Sequence, residues 1–103
     1  MTYVVEIAQQ ALTAISDATH FIAVERQAPR DAEAWLQRLW NAIDKLENMP
    51  RRCPVDPIQS EALGSETRKL TFGNYLVFFQ IDDDRHRVNV VAFIHAAQSR
   101  EID

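Results

Sequence analysis

The run from Thr67 to His95, TRKLTFGNYLVFFQIDDDRHRVNVVAFIH, constrains the fold more than any other part of the chain. It reads as three antiparallel strands joined by two tight turns. Thr67 to Phe72 is the first strand. Gly73-Asn74 is expected to supply the positive backbone dihedrals of a two-residue hairpin turn. Tyr75 to Ile81 is the second strand. Asp82-Asp83-Asp84 opens the next turn, where short acidic side chains bond their own backbone. Arg87 to Ile94, rich in valine and isoleucine, is the third. Side chains alternate along a strand. Tyr75, Val77, Phe79 and Ile81 therefore oppose Leu76, Phe78 and Gln80. On the third strand, Val88, Val90, Ala92 and Ile94 are expected to oppose Val91, Phe93 and His95. Both faces are then apolar, whereas a sheet with one wet face alternates apolar with polar. Each face needs a cover.

The rest of the chain supplies one cover. Thr2 to Ile7 is β-rich and is expected to join the sheet as a fourth strand. Ala8 to about Glu25 places Ala8, Ala11, Ile15, Ala18 and Ile22 at helical spacing. The helix should stop before Pro29. Asp31 to Asn48 is a second helix, with Asp31 as the expected N-cap. Its apolar arc runs through Ala32, Trp35, Leu36, Leu39, Ala42, Ile43 and Leu46, and Trp40 lies at the margin. The short link between the helices predicts an antiparallel hairpin. The stretch 51–66, RRCPVDPIQSEALGSE, has no periodicity and is expected as a long loop, either a plain cross-over or a functional segment. After His95 the polar AAQSREID is expected to fray or to be fixed by a partner. The order β-α-α-β-β-β, with the helical hairpin on one face of a four-stranded sheet, is an α+β architecture in a single domain spanning 1–103.

Composition narrows function. The net charge is −4, and the basic residues of the second half are balanced by its acids. Autonomous grip on DNA or RNA through phosphates is not expected. The single cysteine, Cys53, allows no intrachain disulfide. Arg52 beside it would lower its pKa, but no fixed base accompanies it. The histidines are far apart, so no metal site and no cofactor are expected. Asp82-Asp83-Asp84 lacks the glycine and distal glutamate of a calcium loop and reads as a solvated turn. No run approaches a membrane span. No signal-peptide pattern opens the chain, so the expected location is the cytoplasm.

Four segments carry a family resemblance. YVVEI runs directly into a helix, and the second helix ends in AIDKLENMP. RKLTFGNYLVFFQID and VNVVAFIHAAQSRE follow in that order and spacing. Together they resemble the RelE/ParE superfamily of type II toxin–antitoxin toxins, the plasmid stabilisation proteins. The chain is more similar to ParE at Arg68-Lys69-Leu70 leading into Gly73-Asn74-Tyr75, and at Ile94-His95. The resemblance implies a toxin silenced by a cognate antitoxin that covers an apolar surface. Leu76, Phe78, Val91, Phe93 and Trp40 are the candidate residues for that surface, unless segment 51–66 folds back over the second sheet face. It also implies one of two modes of action. A ParE-like toxin acts by binding, with DNA gyrase as target. A RelE-like toxin cuts messenger RNA on the ribosome, and here His95, Arg68, Lys69 and Arg100 would form its site. RelE-like toxins are similar to one another in an arginine directly after the motif tyrosine. Leu76 stands at that position and cannot bind phosphate, which favours the first mode. His95 has a plainer reading as a structural hydrogen-bonder at a strand end.

Overall fold

The computed structural model describes residues 2–101, with side chains described as far as Gln98. The elements run β1 (Val4–Ile7), α1 (Gln9–Glu25), α2 (Pro29–Asp44), α3 (Pro57–Leu63), β2 (Arg68–Phe72), β3 (Tyr75–Asp82), β4 (Arg87–His95) and α4 (Ala96–Glu101). The four strands form one sheet in the order β1-β4-β3-β2. The expected meander holds, with antiparallel pairing of β2 to β3 and of β3 to β4. The N-terminal strand joins beside β4 and runs parallel to it, Val4 opposite Arg87 and Ile7 opposite Val90. Of the β2–β3 turn residues only Gly73 has positive φ, +57°, so Asn74 does not share that role.

The helical hairpin packs on one face of the sheet. Ala11 and Ile15 of α1, Leu39 and Ile43 of α2, and Val77, Phe79, Val88 and Val90 of the sheet form the core. Burial of this apolar surface is the main term holding the layers together. Helix α2 begins two residues earlier than expected. Its N-cap is Ala28, without a side-chain bond, and Pro29 is its first residue. Proline's fixed φ suits a first helical position, and its missing N–H costs nothing there. Asp31 is therefore inside the first turn, where its charge meets the positive helix end. Between the helices, Gln27 has φ +51°. The Gln27 N–H donates to the Val24 carbonyl and the Ala28 N–H to the Ala23 carbonyl. This is a Schellman closure built on a residue other than glycine.

The expected faces of β4 are corrected past Val90. Phe78 pairs with Ala92 but Phe79 pairs with Val90, so Val91 is an extra residue in β4. This β-bulge exchanges the two faces beyond it. Phe93 joins Val88 and Val90 in the core beneath the helices. Ala92 and Ile94 pair with Phe78 and Leu76 on the opposite face. The Val91 carbonyl, released from regular pairing, accepts from the Gln10 side chain at 2.7 Å.

Segment 51–66 is also more ordered than a loop. A 3-10 turn occupies Pro50–Arg52, and Asp56 caps α3 by accepting from the Gln59 N–H at 3.0 Å. Gly64 ends α3 with φ +74°. The segment is tied along β2. The Asp56 N–H donates to the Thr67 carbonyl, and the Lys69 N–H to the Pro54 carbonyl. The Ser60 hydroxyl accepts from the Thr67 N–H at 2.8 Å. Phe78, cross-strand from Lys69, is fully buried although it points away from the helical hairpin. The tail likewise departs from the fraying expectation, since Ala96–Glu101 forms α4.

Candidate functional site

Two apolar grooves flank α1. The first lies between α1 and the end of the sheet and measures about 520 Å³. Phe21, Tyr75, Phe93 and His95 line it, with Asp17 and Gln98 at its edge. Its floor is an aromatic ladder. The Tyr75 and Phe93 rings stack at 4.9 Å, Trp35 meets Tyr75 edge-on at 5.5 Å, and His95 meets Tyr75 edge-on at 5.1 Å. Such pairs add to area burial and hold the rings rigid. The second groove, about 430 Å³, runs along the outside of the hairpin between Leu12, Ala23, Leu36 and Trp40.

The five residues expected to meet an antitoxin are scattered. Trp40 lines the outer groove, and Phe93 lies in the floor of the inner one. Leu76 and Phe78 are buried on the other sheet face. Val91 is the bulge residue, half-buried. Sequence reasoning missed Leu12, Phe21 and Val24, which α1 exposes. Their signal was present: they are large apolar residues outside the stripe that α1 needs for its own packing.

The four residues of the possible ribonuclease site are also apart. His95 pairs with Tyr75 and Arg68 with Phe79. Four residues along a strand is about 13 Å. Lys69 pairs with Phe78 on the opposite face. Arg100 has its side chain outside the described residues. Each of the other three is engaged. Arg68 donates to the carbonyls of Cys53 and Arg51 at 2.7 and 3.2 Å and pairs with Glu66 at 3.2 Å. Lys69 lies 4.0 Å from Asp56. The His95 Nδ1 accepts from the Ala97 N–H at 3.1 Å. A ring nitrogen that accepts carries no proton, so the neutral ring bears its proton on Nε2. Leu76 is 9% exposed, where the related nuclease pattern has its arginine.

A polar clasp that the sequence did not reveal closes the far end of the sheet. Arg51 bonds Asp83 through both terminal nitrogens, at 3.1 and 2.6 Å, and also reaches the Tyr3 hydroxyl at 3.1 Å. Tyr3 in turn donates to Asp83 at 2.8 Å. Arg51 first, and Tyr3 second, hold the Asp83 carboxyl below its ordinary value, and Asp83 raises that of Arg51. The triplet Asp82-Asp83-Asp84 is thus a turn with a structural partner. The Cys53 thiol is pushed up by burial, which outweighs Arg52 and Arg68, so the expected lowering is reversed. Among the described residues no group of three or more His, Cys, Asp or Glu side chains could hold a metal ion. No described helix is long and apolar enough to cross a membrane.

The fold recurs in solved toxin–antitoxin structures. A chain of the chromosomal ParDE system from P. aeruginosa matches with a TM-score of 0.70 at 14% identity, covering 91% of this chain and 96% of that one. A chain of the archaeal RelE–RelB complex from Pyrococcus horikoshii gives 0.63 at 17%, covering 95% and 99%. One from the RelBE2 complex of Mycobacterium tuberculosis gives 0.59 at 21%, covering 92% and 99%. These likenesses show that the chain shares the fold of these structures. The sequence narrows the class. Residues 5–100 match the family model described as the ParE toxin of type II toxin–antitoxin systems, and the chain belongs to that family. No protein of curated function matches it in sequence.

Proposed function

We propose that this ParE-family toxin acts by binding its target rather than by cutting RNA, that the target is DNA gyrase, and that a cognate antitoxin neutralises it. The observation that carries the binding mode is the state of the alternative site. Metal-free RNA cleavage needs a base, phosphate-binding cations and an acid on one surface. Here Leu76 replaces the phosphate-binding arginine. Arg68 is spent on backbone carbonyls, Lys69 is on the other face, and the Nδ1 of His95 is occupied. Gyrase is the target implied by the ParE resemblance.

The antitoxin reading rests on the flanks of α1. Leu12, Phe21 and Val24 are large apolar side chains left in solvent; Phe21 lines the inner groove and Leu12 the outer one. An amphipathic or extended segment laid in the inner groove would cover Phe21, and one laid in the outer groove would cover Leu12. The similar structures are toxin–antitoxin complexes, which supports an antitoxin as the occupant. Trp40 and Phe93 contribute from the two grooves. Leu76, Phe78 and Val91 are secondary, because the first two are already buried.

The test is DNA supercoiling by purified gyrase with the toxin, with and without its antitoxin. The expected outcome is inhibition that the antitoxin reverses. A folded toxin that leaves supercoiling untouched but promotes messenger RNA cleavage on ribosomes would overturn the reading.

A further inference from the structure

We infer that His95 is a pH-operated cap on α4. The residue sits at the junction where β4 ends and α4 begins. Its Nδ1 accepts from the Ala97 N–H at 3.1 Å, and its own backbone N–H donates to the Gln98 side-chain oxygen at 3.1 Å. The two bonds are reciprocal, in the manner of a capping box, with imidazole in the place usually held by a hydroxyl or carboxylate. A serine or aspartate cap accepts throughout the neutral range. A histidine cap accepts only while it is neutral. Once protonated, Nδ1 carries a hydrogen that faces the hydrogen of the Ala97 amide, and the bond is lost. The imidazolium also brings positive charge to the positive end of the helix. Both effects act in the same direction.

Helix α4 is poorly placed to survive without its cap. It spans only Ala96–Glu101. Helices this short do not persist on propensity alone. The Ala96 N–H donates to the Asn74 carbonyl at 2.7 Å, which fixes the first residue whatever the charge on His95. Among the described residues, two titratable groups line the surroundings of the ring. Tyr75 of β3 meets it edge-on, and Asp17 of α1 lines the same groove. Gln98 forms one edge of the groove floored by Tyr75 and Phe93. Uncapping therefore loosens that edge as well as the helix.

Nuclear magnetic resonance on the whole chain tests this directly. Long-range nitrogen spectra of the neutral ring should show an unprotonated Nδ1, and the helical Cα shifts of Ala96, Ala97 and Gln98 should collapse toward coil values as the ring is protonated with added acid. The His95→Asn variant, which caps without titrating, should keep the helical shifts throughout the acid titration. The His95→Ala variant should show reduced helical shifts throughout. A proton on Nδ1 in the neutral ring would overturn the assignment. So would wild-type helical shifts that survive titration of the ring, or an equal acid-induced loss in His95→Asn.

Discussion

Helices α1 and α2 form one hairpin over one core, yet they are built differently. Every large apolar residue of α2 is at least half-buried, and apart from Pro29 and Ala34 its exposed positions hold polar or charged residues, among them Arg30, Glu33, Gln37, Arg38 and Asn41. Its pattern is what folding alone requires of a surface helix. Helix α1 buries Ala11, Ile15 and Ile22 in the same way. It also leaves Leu12 37%, Phe21 48% and Val24 53% exposed. Between Gln9 and Val24 its one acidic residue is Asp17, and it has no lysine or arginine. On the proposed reading, the contrast separates residues that serve the core from residues that serve a partner.

The sharpest break between the two roles should come from a core substitution in α2. Leu39→Ala, at a fully buried site, is expected to cost about 2–5 kcal/mol, read from urea denaturation. Next in size is the partner effect in α1. Phe21→Ser is expected to change stability by no more than about 0.5 kcal/mol. Its affinity for the antitoxin should fall about tenfold or more, as expected for an aromatic anchor. Titration calorimetry that finds unchanged affinity for both Phe21→Ser and Leu12→Ser would return the surplus of α1 to chance. The link between the helices offers a smaller, opposite effect. Gln27→Gly removes the cost of a side chain at φ +51° and should stabilise the hairpin by up to about 1 kcal/mol, with antitoxin affinity unchanged.

The smallest effect lies away from both helices and serves as a control. Arg51 and Tyr3 lower the Asp83 carboxyl in the folded state. A carboxylate so lowered contributes stability above its unfolded value of about 3.9, and that contribution is lost as pH falls through the lower folded value. The pair is exposed, so the loss is slight. The urea midpoint of the wild type should fall more steeply below about pH 4 than that of Asp83→Asn. An identical acid slope in the two proteins would show that the clasp does not contribute to stability.

Much of the layout was readable because periodicity reports burial. Strands β2 to β4, both long helices and most of the core follow from spacing alone. The departures have separate causes. The bulge at Val91 uses an ordinary residue with ordinary dihedral signs, and nothing local marks the extra position. The error it caused moved Phe93 from one face to the other. Helix α3 did carry local signals, Asp56 before Pro57 and Gly64 at the end, but it is too short to show a period. Pro29 at the start of α2 was likewise a start signal as much as a stop signal. The Arg51–Asp83–Tyr3 clasp joins three distant parts of the chain, so no window contains it. The imidazole cap on α4 was half visible: a histidine followed three residues later by glutamine has the spacing of a capping box, with an unusual first residue.

The parallel pairing of β1 with β4 has a consequence for how the molecule comes into being. Val4 lies against Arg87, so the first strand of the chain rests on the last. A chain made from its N-terminus holds β1 without its neighbour until β4 has been synthesised, and the helical hairpin waits with its apolar face on an unfinished sheet. Pairings this distant in sequence slow folding. Completion of the sheet therefore waits on β4, and anything that recognises the β1–β4 pairing meets it only afterwards.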